Sequence, residues 1–169
     1  MSVEALNPRP ETPSQARARL RQAARLAVVQ ALYQMELTGR GATAVAHEFR
    51  DVRFGAAHES AAYLEADEDF FEAVLTGCAA RQAEVDRGIA QRLSAGWKLE
   101  RLDATARALL RAGAYELLDR ADVPASAVVA SYVDLASAFF DAKDVAFVNA
   151  ALDGLAQDWR AEERAASGP

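Results

Sequence analysis

At 169 residues, with 51% hydrophobic and 26% charged side chains, the chain has the size and balance of one soluble globular domain. Its net charge of −6 argues against indiscriminate adhesion to nucleic acid, because phosphate binding needs cationic surface. The single cysteine, Cys78, excludes an internal disulfide framework and any cysteine-pair metal motif, and no cofactor motif is present. No run of about 18 apolar residues is available to span a membrane. The polar, proline-bearing N-terminus (Asn7, Pro8, Pro10, Pro13) lacks the apolar core of a signal peptide, so a cytoplasmic location is expected.

Much of the hydrophobic class is alanine, the best helix former, while only nine glycines and five prolines punctuate the chain. An all-α fold follows. Residues 1–13 read as a disordered arm. Ser14, after Pro13, is the expected cap of a first helix, along which Leu20, Ala24, Ala27, Val28, Ala31, Leu32 and Met35 form one apolar stripe. Gly39 and Gly41 end it. A short helix is expected near Thr43–Arg50, then a loop through Gly55 and His58. Asp67, Glu68 and Asp69 stand before Phe70, Phe71, Val74, Leu75 and Cys78, where acidic residues suit the positive end of a helix dipole.

A further helix covers roughly Gln82–Leu93, and Ser94, Ala95 and Gly96 break it. After Trp97, the stripe Leu102, Ala106, Leu109, Leu110, Gly113, Leu117 and Leu118 predicts a helix to about Arg120. Asp122-Val123-Pro124 stops it, since the residue before proline is pushed out of the α region. Val128, Val129, Val133, Leu135 and Phe139 read as the apolar side of the next helix. Asp144 is the expected cap of another, carrying Val145, Val148, Leu152, Leu155 and Trp159, and a frayed tail is expected over 161–169. The pattern gives about seven helices in an N-terminal half, 14–96, and a C-terminal half, 97–160, with no internal repeat.

The residues assemble no enzyme site. His47 and His58 belong to no metal or triad motif, Cys78 lies on an apolar helix side, and the acidic run 65–69 lacks EF-hand spacing. Charge is distributed unevenly instead. Residues 1–25 hold Arg9, Arg17, Arg19, Arg21 and Arg25 against Glu4 and Glu11, a local +3, which leaves −9 for the remainder. Arg17, Arg21 and Arg25 recur every fourth residue, about 6 Å apart along a helix axis, a spacing suited to successive phosphates. Tyr33 stands two turns further on, roughly 80° around the helix, where it could stack on an unpaired base. A solvated basic face would carry the same pattern. Phe147 lies beside the core stripe of the 145–155 helix, as an edge-of-core residue or a stacking platform, and Lys143 adds charge at its mouth. The 102–120 helix, with Arg107 and Arg111, fits either a core helix with a solvated outer face or a protein-docking face.

Three segments resemble the transcription antitermination protein NusB family: ARLAVVQALYQMEL (24–37), LERLDATARALLRAGAYELLDRADVP (99–124) and AFVNAALDGLA (146–156). They stand in the family's order, and the likeness covers about residues 14–160. It implies two helical bundles packed across each other and a protein without catalytic activity. The implied partners are single-stranded boxA-type leader RNA of ribosomal-RNA transcripts, the ribosomal protein NusE and the RNA polymerase antitermination complex. Some family members self-associate as homodimers. By position, the resemblance places the N-terminal arginines, Gln30, Tyr33, Phe147 and Asn149 at the RNA surface, and Glu100, Arg101 and Arg107 near the protein partner. The chain departs from the family pattern at Ala130-Ser131, Ser137 and Ala150. The rival reading is a diverged helical adaptor that binds proteins without specific RNA recognition.

Overall fold

The computed structural model describes residues 8–54 and 65–166, with side chains through residue 163. Eight α-helices follow in order: α1 (Pro13–Thr38), α2 (Ala42–Val52), α3 (Glu68–Ala80), α4 (Gln82–Arg92), α5 (Ala104–Asp119), α6 (Ala125–Phe139), α7 (Ala142–Trp159) and α8 (Ala161–Ala166). A 3-10 turn, Leu99–Arg101, precedes α5. No strand occurs among the described residues. The all-α expectation is met.

Local chemistry explains most boundaries. Thr12, not Ser14, caps α1: its hydroxyl accepts from the Gln15 N–H while the Gln15 side chain accepts from the Thr12 N–H. Pro13 then occupies the first helical turn, where its missing N–H costs nothing. Gly39, at φ 72°, closes α1 in the left-handed conformation that glycine adopts readily. Asp67 caps α3 through the Phe70 N–H, and Asp103 caps α5 through the N–H groups of Thr105 and Ala106. In the seventh helix the cap is Asp141 rather than Asp144, whose own N–H donates to Asp141 at 3.0 Å. An aspartate three residues inside the expected start is a first-turn residue, not a cap. Residues 161–166 form α8 instead of fraying, and residues 1–7 of the expected arm, with Gly55 and His58, lie outside the described residues.

Helix α5 is the centre. It packs against α1, α3, α4, α6 and α7, while α1 also lies on α2 and α3. A Cβ at Gly113 would stand 3.0 Å from Leu152 and 3.2 Å from Tyr132, so the missing side chain is what lets α6 and α7 approach. Two buried arginines tie down the chain that enters and leaves α5. Arg107 donates to the carbonyls of Leu99, Glu100 and Leu102 and pairs with Glu36. Arg160 donates to the carbonyls of Glu116, Leu117, Arg120 and Val123. Some of these carbonyls already accept a backbone N–H, Leu99 from Leu102, Glu116 from Arg120 and Arg120 from Val123; a five-donor guanidinium adds a donor there and reaches the others as well. Cys78 is buried, and desolvation pushes its thiol up to about 12, as expected of a core residue.

Candidate nucleic-acid interface

The arginines of α1 do not share one environment. Each step of four residues turns about 40° beyond a full circle, so a row of arginines at that spacing spirals from solvent into the core. Arg17 is exposed and has no carboxylate partner among the described residues. Arg19 is exposed and pairs with Glu11 and Glu65. Arg21 is half-buried, its guanidinium 4.7 Å from the centre of the Phe70 ring and 3.7 Å from an Asp67 oxygen. Arg25 is only 5% exposed and makes two hydrogen bonds, 2.8 and 3.0 Å, to the fully buried Glu116. Tyr132 gives its hydroxyl proton to the same carboxylate. Burial by itself would lower the Arg25 guanidinium pKa, but the bond and charge of Glu116 outweigh it and raise it. Arg25 therefore leaves the expected RNA-binding set: it is an internal tie between α1, α5 and α6, committed to a partner 91 residues away.

What remains of the basic face borders a groove between α1 and α6. At one end, Arg17, Arg21 and Gln22 face Ala127, Ala130 and Ser131 around a hollow of about 510 Å³. Gln22 bridges the helices there, donating from Nε2 to the Ser131 carbonyl at 2.9 Å. At the other end, Gln30, Tyr33 and Leu37 of α1 face Phe139 of α6 and Arg53 around a second hollow of about 380 Å³. Tyr33 is 39% exposed and Phe139 46% exposed. Phe139 is a correction: expected on the apolar stripe, it is the last residue of α6 and projects beyond the packed face. Arginines at one end and aromatics at the other make a surface suited to a single strand, with phosphates on the cations and bases on the rings.

The other expected contacts are elsewhere. Lys143 and Asn149 are exposed on α7, and Phe147 is half-buried against the core; none of the three lines either hollow. Of the expected partner residues, Glu100 and Arg101 are exposed in the 3-10 turn. Arg107 is a second correction: only 9% exposed, it lies at the base of a hollow with its guanidinium engaged by Glu36 and the carbonyls of Leu99, Glu100 and Leu102. Its hydrogen bond and charge hold the Glu36 carboxyl below its ordinary 4.5, against a smaller opposing effect of burial. Beside it, a hollow of about 890 Å³ is bordered by Arg40, Arg87, Trp97, Lys98 and Glu100. Trp97, 59% exposed, is the largest apolar group on that side.

A family profile described as "NusB family" matches residues 22–157. The chain belongs to the NusB family. It is 54% identical over 153 residues to the transcription antitermination protein NusB of Maricaulis maris, covering 90% of this chain and 96% of the relative. To the protein of the same name from Caulobacter vibrioides it is 51% identical over 140 residues, covering 83% and 94%. Among solved structures, T. maritima NusB superposes with a TM-score of 0.70 at 23% identity, covering 92% of this chain and 99% of the other. A crystal structure described as antitermination factors NusB and NusE in complex with dsRNA gives a TM-score of 0.67 at 23% identity, covering 83% and 98%.

In this NusB chain, two of the departures from the family pattern, Ala130 and Ser131, lie on the groove wall. Their side chains are small, and the polar groups of that wall are the Ser131 carbonyl and the Asp134 carboxylate, both reached by Gln22. Sequence reasoning missed Phe139 and Arg53. The signal available was the position of Phe139 immediately before the end of α6, where a side chain clears the facing helix.

Proposed function

We propose that this NusB-family protein is a transcription antitermination factor that binds boxA-type leader RNA as a single strand along the α1–α6 groove, in a heterodimer with NusE. The observation that carries the reading is the groove itself, which presents unpaired Arg17 and half-buried Arg21 at one end and exposed Tyr33 and Phe139 at the other. It is supported by relatives named transcription antitermination protein NusB and by a fold shared with a protein crystallised with NusE and dsRNA. NusE is assigned to the side bearing Trp97, Glu100 and Arg101, where an exposed indole borders a broad hollow. Separate faces allow RNA and protein to bind together and feed the polymerase complex. Two helical halves, 14–96 and 97–160, of one RNA-binding domain remain the proposed organisation of the chain, and Lys143, Phe147 and Asn149 on α7 the proposed continuation of the RNA surface.

The test is fluorescence anisotropy of a labelled boxA RNA and of a scrambled strand, with and without NusE, across a salt series. Selective binding that NusE tightens is the expected result. Equal, weak binding to both strands that ignores NusE would overturn it in favour of a protein-binding adaptor. Among the described residues no helix is long and apolar enough to cross a membrane.

A further inference from the structure

We infer that the hollow between Tyr33 and Phe139 is a pocket for one unstacked nucleobase, and that Arg53 holds the phosphate beside it. The inference rests on the RNA-binding reading and adds to it a site of defined chemistry with two residues, Phe139 and Arg53, that the basic helix does not include.

Four observations converge. Two aromatic rings from different helices, both substantially exposed, line one hollow of about 380 Å³. That is near the small end of the roughly 300–1,000 Å³ found for ligand pockets, a fit for a base rather than for a helix. The Phe139 ring has a neighbour in half-buried Phe140, centroids 6.3 Å apart and planes tilted by 52°, while it remains exposed itself. Arg53 is steadied too, with its guanidinium 5.1 Å from the centre of the Phe49 ring and Nη1 donating to Gln30 Oε1 at 3.4 Å. That bond turns the Gln30 oxygen toward Arg53 and leaves the amide NH₂ to donate to a base carbonyl. Phe49 is itself locked in a cluster with Phe54 and Phe71, centroids 5.0 to 6.2 Å apart, so the platform under Arg53 is rigid.

Charge decides between an RNA base and an apolar peptide as occupant. The rim carries a cation and a neutral amide, and one wall of the hollow is α1, the helix that carries Arg17 and Arg21. A strand whose phosphates follow those arginines arrives at the aromatic pair with a base to place.

The test is a substitution cycle on the full chain. A fluorescein-labelled boxA RNA is compared with a set in which each base in turn is replaced by an abasic site. With the native protein, one abasic position should cost about 5- to 150-fold in affinity, the range for a stacked base. Phe139→Ala should weaken the intact RNA by the same factor and abolish the penalty at that one position, with the salt slope unchanged. Phe139→Leu, which keeps apolar bulk but has no π face, should behave like Phe139→Ala, and Phe139→Trp should restore binding. Arg53→Ala should lower the salt slope instead. If the native protein binds RNA but Phe139→Ala leaves affinity and the abasic penalty intact, the pocket is overturned and the RNA reading stands. If Phe139→Ala instead impairs only NusE binding or self-association, the occupant is a protein and the inference fails. If the native protein binds no RNA at all, both fall together.

Discussion

The Arg25 guanidinium meets the Glu116 carboxylate through two hydrogen bonds of 2.8 and 3.0 Å, in a site that excludes water from both groups. Tyr132 supplies a third donor to the same carboxylate, so α1, α5 and α6 share one charge-centred junction beneath the groove. Removing one member of a buried pair strands the other, at about 3–5 kcal/mol. Glu116→Gln and Arg25→Ala should each lower stability by about that amount in urea titration. Tyr132→Phe, which removes only a neutral donor, should cost about 1 kcal/mol. A loss below about 1 kcal/mol for Arg25→Ala would mean the pair is not buried as described. RNA binding lost in Arg25→Ala is therefore read as a folding defect unless stability is measured alongside.

Arg17 and Arg21 should differ in salt dependence. Arg17 has no acidic neighbour to give up, so a phosphate on it displaces counterions, and Arg17→Ala should reduce the slope of log affinity against log salt by about 0.7 for a single strand. A phosphate on Arg21 competes with Asp67, 3.7 Å away, so Arg21→Ala should reduce the slope less. Anisotropy titrations over a range of salt concentrations measure both. A slope indifferent to Arg17→Ala would remove that residue from the RNA contact.

Acid should act through Glu36. Its carboxyl titrates below the ordinary 4.5 because Arg107 donates to it and attracts it, so the folded state holds fewer protons there than the unfolded chain. Its contribution to stability is therefore full above about pH 4.5 and is lost as pH falls through the folded value. Glu36→Gln should be less stable than the native protein at neutral pH and show a shallower fall in stability below about pH 4.5. Thermal melts across that range provide the readout, and parallel profiles for the two proteins would contradict it.

Arg160→Lys keeps the charge but loses the planar fork that reaches four carbonyls. It should destabilise by about 2–3 kcal/mol, since the Leu117 and Val123 carbonyls lose their donor at about 1–3 kcal/mol apiece while Glu116 and Arg120 keep a backbone N–H. Hydrogen exchange should accelerate in the last turn of α5 before it does in α1. Uniform exchange across both helices would argue against a local role.

Helix existence was legible in the sequence wherever apolar period and breaker agreed. Gly39, Gly96 and Pro124 all stand at real boundaries, and the α1 stripe from Ala24 to Leu32 is buried as the spacing requires. The basic helix was legible as well, but not which of its arginines face water. Nothing near Arg25 or Arg107 in the chain shows that Glu116 and Glu36, 91 and 71 residues away, will enclose them. A lone-helix projection assigns faces by angle and has no means of locating the neighbouring helix. The same lack misplaced Phe139, which fits the apolar period of α6 but lies past the point where α6 has something to pack against.

Arg160 reaches back 37 to 44 residues to close the end of α5 and the turn that follows. A chain emerging from the ribosome exposes α5 well before it supplies that guanidinium. Until residue 160 is free, the Leu117 and Val123 carbonyls lack the Arg160 donor, and the Glu116 and Arg120 carbonyls have only the backbone N–H groups of Arg120 and Val123. The groove between α1 and α6 rests on that turn, so its final shape is set late in synthesis, and a truncation before residue 160 should yield a protein that is helical yet unfinished at the surface proposed to meet RNA.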